Sequence, residues 1–218
     1  MAFQFEQGEI LLVSKPYSWT SFDVVGKMRT IIRQRTGLRK IKIGHAGTLD
    51  PLATGLLILC TGRFTRRIGE FQGLEKEYTG TLRLGATTPS FDLETGIDRT
   101  FKLPALSQEA WESAVRETAK QFTGDFYQVP PSFSAIQIDG KRAYQSARKN
   151  LPVEIKARRV NISAFEITGG AIPDVEFRVI CSKGTYIRAL ARDFGEKLGC
   201  GAHLTALCRT RIGPFHLR

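Results

Sequence analysis

Sulfur and imidazole side chains are scarce in this sequence: 218 residues carry 4 Cys, 2 Met and 3 His. Cys60, Cys181, Cys200 and Cys208 form no Cys-x-x-Cys pair and no short framework, which sets aside a disulfide-stapled fold and suits reduced thiols in the cytoplasm. Cys200-x-x-His203-x-x-x-x-Cys208 has some look of a zinc site, but it lacks a well-spaced fourth ligand, and no metal is expected. Long apolar runs are missing too. The longest, around residues 56–60, is far too short to span a bilayer. The start, "MAFQFEQGEILLV", has no basic leader and does not read as a signal peptide.

Acid is the other shortage. Thirty-two Lys and Arg stand against 21 Asp and Glu, for a net charge of +11. Such a balance speaks to partners, and the usual partner is a polyanion; a merely basic chain is the plain alternative. The imbalance is sharpest between Val24 and Gly69, where ten basic residues surround one acid, Asp50. A second basic block, from Gly140 to Ala164, holds seven Lys or Arg and only Glu154. The length fits one large domain, or one domain with an insertion, and suffices to bury roughly 70% of the unfolded surface.

Periodicity supplies the elements. "EILLVSKP" reads as a strand ended by Pro16, and a helix opens near Thr20 or Ser21. Phe22, Val25, Met28, Ile31 and Ile32 are expected on its apolar face, with Gly37 as its stop. A loop around Gly44 to Pro51 leads into a buried strand, "GLLILCTG", and a short basic segment with Arg63, Arg66 and Arg67. "KEYTGTLRLG" alternates with Tyr78, Gly80, Leu82 and Leu84 on one side. Residues 86–106 read as loop, and Ser107 caps a helix reaching Phe122. Two strands, 158–168 and 174–181, meet at a Gly-Gly and Pro173 turn. A helix from Thr185 to about Leu198 and a strand near 203–212 follow. Strands in hairpin-like order with interspersed helices predict an α+β fold with a mixed, largely antiparallel sheet flanked by helices and loops.

Several residues could carry chemistry. Asp50 precedes proline, where an aspartate often serves only the turn. Ringed by cations, it would also be held ionised, able to act as nucleophile or base. Lys183 and Arg188 flank a helix start and could form an anion site, although Arg188 could equally lie solvated in the first turn. Tyr78 reads by default as a core tyrosine, and His45 as a turn histidine. Beside basic blocks, such rings are also what proteins stack on unpaired RNA bases.

"SKPYSWTSFDVV", "GHAGTLDPLATG", "KEYTGTLRLG", "PPSFSAIQIDGKRAYQSAR" and "CSKGTYIRALARDFGEKLGCGAHLTALCRTRIGPF" resemble, in order, the motifs of the bacterial tRNA pseudouridine synthase B family. From the first motif to the last they span residues 14–215. The resemblance implies isomerisation of uridine-55 in the tRNA T loop, without metal or cofactor, on a pseudouridine-synthase-type sheet. It implies Asp50 as the catalytic aspartate, Tyr78 as the tyrosine that stacks on the base and Arg188 as the arginine that pairs with the aspartate. It makes His45 the loop histidine that holds the T loop, Leu207 an apolar contact to the base, and Lys15 with Pro16 a supporting motif. Lys141, Arg142 and Lys183 are expected on the RNA. Residues 1–218 are expected to form a single catalytic domain with an RNA-gripping insertion near 131–156, acting as a monomer with tRNA (the T arm) as partner and no membrane association. The chain ends at Arg218, where many relatives carry a small extra RNA-binding domain; no such separate domain is expected here. Ser18 stands where the family usually has Gly, "TTPSFD" departs from the usual Thr-Asp-Thr pattern, and Phe133 and Gln137 replace a common Tyr and Lys.

Overall fold

The computed structural model describes residues 3–134, 136–138, 141–142 and 155–217. They fall into two compact units, Met1–Thr79 with Leu207–Arg218, and Gly80–Ala206. The fold is α+β, with mostly antiparallel strands.

In the first unit, strand β1 (Ile10–Lys15) pairs antiparallel with β3 (Thr54–Thr61), from Ile10 opposite Cys60 to Lys15 opposite Gly55. Strand β2 (Ile43–His45) is antiparallel to β3 as well. The C-terminal part of β12 (Ala202–Ile212) runs parallel to β3 through Cys208 opposite Thr54 and Arg209 opposite Gly55, and β13 (Phe215–His216) folds back on it. Only the first of the eight β3 residues is not fully buried, because both faces are covered, and that is why its sequence is an unbroken apolar run. Alternation sends Leu57 and Leu59 to one side, against Val24, Val25 and Ile32 of helix α1 (Ser21–Thr36). Leu56, Ile58 and Cys60 pack on the other side with Ile212 and with Phe71 of helix α2 (Ile68–Gly73). Each such leucine or isoleucine contributes about 1.5–3 kcal/mol on leaving water.

Helix α1 starts where the sequence says. Thr20 accepts the Asp23 amide, and the Asp23 carboxylate accepts the Thr20 amide, a reciprocal capping box. Gly37 closes the helix at φ 72°, a left-handed conformation that glycine adopts without penalty. Phe22 departs from expectation: it is 68% exposed. At 100° per residue it lies about 60° beyond Val25, past the edge of the stripe formed by Val24, Val25, Met28 and Ile32.

In the second unit, β4 (Lys76–Leu84, whose first residues belong to the first unit), β11 (Asp174–Cys181), β10 (Arg158–Gly169) and β7 (Gly124–Gln128) lie in that order. Phe122, Phe165, Phe177 and Phe194 pack as an aromatic core with ring centroids 5.6–6.3 Å apart. Helix α3 (Gln108–Lys120) is capped by Ser107, as expected, and buries Trp111, Val115 and Ala119. Helix α4 (Ile187–Lys197) begins two residues later than the sequence suggested, because the Thr185 hydroxyl bonds the Ser182 carbonyl within the preceding turn. Within the stretch read as loop, β5 (Ala86–Thr87) pairs with β6 (Arg99–Thr100).

Of the insertion expected near 131–156, residues 135, 139, 140 and 143–154 lie outside the described residues. Within it β8 (Gln137–Ile138) pairs antiparallel with β9 (Lys141–Arg142). Among the described residues, no helix is long and apolar enough to cross a membrane.

Candidate active site

The loop that carries Asp50 is bonded at every residue from Gly47 to Pro51. Arg209 donates from Nη2 to the Gly47 carbonyl (3.1 Å) and from Nη1 to that of Thr48 (3.5 Å), while its Nε reaches the Leu56 carbonyl at 2.8 Å. The Ser21 hydroxyl accepts the Leu49 amide at 2.9 Å and donates to the Leu49 carbonyl at 3.3 Å. Ala53 donates to the Asp50 carbonyl at 3.1 Å. The Pro51 carbonyl takes both the Ser18 amide (2.9 Å) and Lys15 Nζ (3.1 Å). Arg209 can reach this loop because its strand lies beside β3. Gly55, at φ 108°, permits that approach: a Cβ there would collide with the Arg209 backbone.

Two fully buried cations therefore brace the loop that presents a half-buried carboxylate. Lys15 also donates to the carbonyls of Pro16 (2.9 Å) and Trp19 (2.6 Å), so its three hydrogens are all used. Burial pushes its ammonium below the usual lysine range, the Asp50 and Asp23 carboxylates pull it back up, and Arg209 adds to the fall. His45, at the end of β2, is pushed below 6.5 by burial first and by the Arg209 cation second. Its Nδ1 is a buried atom with no protein hydrogen-bond partner among the described residues. Leu207 borders the same loop, its carbonyl 3.5 Å from the Thr54 hydroxyl. Tyr78 lies on β4 of the first unit and is buried, on the face that also holds Lys76. Lys15 thus bonds the Asp50 loop directly, His45 ends β2 just before it, and Leu207 lies beside Thr54, just after it.

Arg188 sits in the first turn of α4 in the second unit, buried rather than solvated. It donates to the carbonyls of Ser90 (3.1 Å) and Phe133 (2.8 Å), and its Nε lies 3.6 Å from the buried Asp92 carboxylate. One turn on, Arg192 bonds the Val129 carbonyl at 3.1 Å and stands over the Phe91 ring at 5.1 Å. The Gln128 side chain bonds both the carbonyl and the amide of Tyr186. Lys183, expected to share an anion site with Arg188, is exposed in the turn before the helix that buries Arg188. Lys141 and Arg142 form β9. His203, which contributed to the zinc-like spacing, is buried with Nδ1 3.0 Å from the Ala86 carbonyl.

Sequence reasoning missed Ser21, Asp92, Arg192 and Arg209. None carries a local signal: a serine at a helix start, an acid in a polar turn and arginines amid other arginines all read as solvated.

A model of the TruB family pseudouridylate synthase N-terminal domain matches residues 33–187, and one of the tRNA pseudouridylate synthase B C-terminal domain matches residues 188–218. The chain belongs to this family. It is 52% identical over 216 residues to tRNA pseudouridine synthase B of Flavobacterium johnsoniae, covering 99% of this chain and 93% of that one. It is 55% identical over 217 residues to the enzyme of the same name from Bacteroides thetaiotaomicron, covering 98% and 89%. Among solved structures it is similar to the "Crystal Structure of a Cbf5-Nop10-Gar1 Complex" (28% identity, TM-score 0.69, 97% of this chain and 50% of that chain). It is also similar to the "Structure of H/ACA RNP bound to a substrate RNA containing 2'-deoxyuridine" (27% identity, TM-score 0.65, 97% and 49%). Like other members of the family, the chain is a pseudouridylate synthase, an isomerase.

Proposed function

We propose that the chain isomerises uridine-55 in the T loop of tRNA to pseudouridine, with Asp50 as the catalytic carboxylate. The observation that carries this reading is the loop itself: every residue from Gly47 to Pro51 is hydrogen-bonded through its backbone, which holds one carboxylate in place on a strongly basic chain. The names of the relatives support tRNA as the substrate.

The reaction breaks the bond between uracil N1 and ribose C1′, turns the base, and joins C5 to C1′. The C5 proton leaves and N1 gains one, so atoms and electrons balance with protein groups alone and no cofactor is required. Asp50 attacks either C6 of the ring or C1′ of the sugar, and a carboxylate leaves again from both. Tyr78 supplies a π face and a phenol to take the C5 proton, Leu207 supplies an apolar contact to the base, and Arg188 supplies the compensating positive charge. His45, kept neutral by burial and Arg209, offers an uncharged ring with an unsatisfied nitrogen to the everted loop. Unstacking the base costs a few kcal/mol, which contacts to the open loop must offset. Lys15 supports the site from below, and Lys183, Lys141 and Arg142 meet phosphates. On this reading residues 1–218 act as one catalytic domain and as a monomer in the cytoplasm, with the stretch near 131–156 gripping the T arm.

The test is tritium release from tRNA labelled at uridine C5, comparing the natural protein with Asp50→Asn. Release by the natural protein alone is expected, and a T-arm fragment is expected to suffice as substrate. Tight tRNA binding without release by either protein would make the chain an RNA-folding factor instead.

A further inference from the structure

Residues 17–22 expose three aromatic side chains within six positions: Tyr17 at 54%, Trp19 at 38% and Phe22 at 68%. Single exposed apolar residues need no explanation, but a cluster of large rings does. The loop that displays them is held rigid. Lys15 Nζ bonds the Pro16 carbonyl at 2.9 Å and the Trp19 carbonyl at 2.6 Å, and the same atom bonds Pro51 at 3.1 Å. The Ser18 amide bonds the Pro51 carbonyl at 2.9 Å. Ser18 itself sits at φ 65°, a region that L side chains rarely adopt, and the Thr20–Asp23 capping box fixes the far end. The aromatic loop is therefore tied directly to the residue that follows Asp50.

We propose that Tyr17 and Trp19 form a base-stacking surface for unpaired nucleotides of the RNA substrate, separate from Tyr78. Charge selects the occupant. Asp23 is the one acid between Ile10 and Leu49, and its carboxylate is engaged by the Thr20 amide and hydroxyl. Lys27, Arg33, Arg35, Arg39, Lys40 and Lys42, on the adjoining helix and the segment after it, are exposed. Only Lys27 of these lies within about 9 Å of the helix start at 1.5 Å per residue. It is therefore the rings near the Asp50 loop, on a chain of net charge +11, that suit a ligand with π faces and a polyanionic backbone, which single-stranded RNA supplies. The inference rests on the RNA substrate proposed above and adds a second stacking point, close to the Asp50 loop, that keeps flanking bases apart from the reacting one.

The test uses the two tryptophans. Trp111 is 5% exposed, so in the Trp111→Phe protein the emission reports Trp19. Titration with a T-arm RNA oligonucleotide is expected to quench that emission. The Tyr17→Ala/Trp19→Ala protein is expected to bind the same RNA about five- to hundred-fold more weakly in a filter assay, while Tyr17→Phe/Trp19→Phe, which keeps both π faces, retains most of the affinity. Circular dichroism melts of each variant establish that it is folded. Unquenched Trp19 emission at saturating RNA, or unchanged affinity of the alanine protein, overturns the proposal. Quenching that follows protein concentration without RNA would assign the surface to a second copy of the chain and overturn it too. Tritium release by the natural protein is scored separately: release with no Trp19 quench refutes the stacking surface alone, and quench without release refutes the isomerase reading alone.

Discussion

Replacing Arg209 with methionine removes the fork that bonds the carbonyls of Leu56 at 2.8 Å, Gly47 at 3.1 Å and Thr48 at 3.5 Å. Two of these bonds are well formed, and hydrogen bonds to a charged donor contribute about 1.5–3 kcal/mol each. Methionine fills similar space without a buried charge, so part of that loss returns as avoided desolvation, and the net cost to stability is about 1–3 kcal/mol. The kinetic cost is larger in proportion. Gly47 and Thr48 stand three and two residues from Asp50, and freeing their carbonyls lets the carboxylate drift; a misplacement of about 1 Å lowers a rate on the order of 100-fold. The assay is single-turnover tritium release at saturating enzyme, beside an RNA filter-binding titration. The expected result is a rate on the order of 100-fold lower with binding little changed, and partial recovery in Arg209→Lys, which restores the charge without the fork. His45 should titrate closer to 6.5 in Arg209→Met, because the Arg209 cation helps to depress it. A full rate in Arg209→Met would refute the bracing role. Lost RNA binding with an unchanged saturated rate would refute it as well, by making Arg209 a phosphate contact.

Other expectations follow from the same geometry. Because His45 titrates below its ordinary 6.5, the unfolded chain binds its proton first, so this residue costs stability as the pH falls from 6.5 toward the folded value. In His45→Gln the drop in Tm between about pH 7 and about pH 5 should shrink; an equal drop in both proteins would argue against a depressed His45. Gly55→Ala forces a Cβ onto the Arg209 backbone at φ 108°, and should lose about 2–5 kcal/mol in urea unfolding; an unchanged midpoint would contradict the close β3–β12 approach. Ser18→Gly relieves a left-handed serine at φ 65° and should raise Tm by about 1–3 °C after the entropy of glycine is subtracted; a fall would show that Ser18 is unstrained.

Local chemistry made much of the fold legible. Thr20, Asp23 and Gly37 bound α1, Ser107 caps α3, and the alternation in "KEYTGTLRLG" marks the buried side of β4. Phe22 shows the limit of such reading. Its spacing from Val25 fits a helical face, yet which stripe of a helix is buried depends on the partner, here Leu57 and Leu59 of β3. The site divides in the same way. Asp50, an isolated acid in a basic, Gly- and Pro-punctuated stretch, stands out in the sequence, and the motifs around it point to the family. Arg209 does not stand out. It lies 162 residues from Gly47 along the chain, and on an alternating strand it reads as one more solvent-facing cation.

The sequence by itself determined most of the longer strand and helix segments, the excess of basic residues and the isolated carboxylate, because capping, turn chemistry and charge imbalance act over a few residues. Only the tertiary structure decided what holds that carboxylate. The parallel pairing of β12 with β3, Cys208 opposite Thr54 and Arg209 opposite Gly55, is a long-range register that no local pattern encodes. It turns Arg209 inward to find three carbonyl oxygens, and an arginine is buried only where such acceptors satisfy its charge.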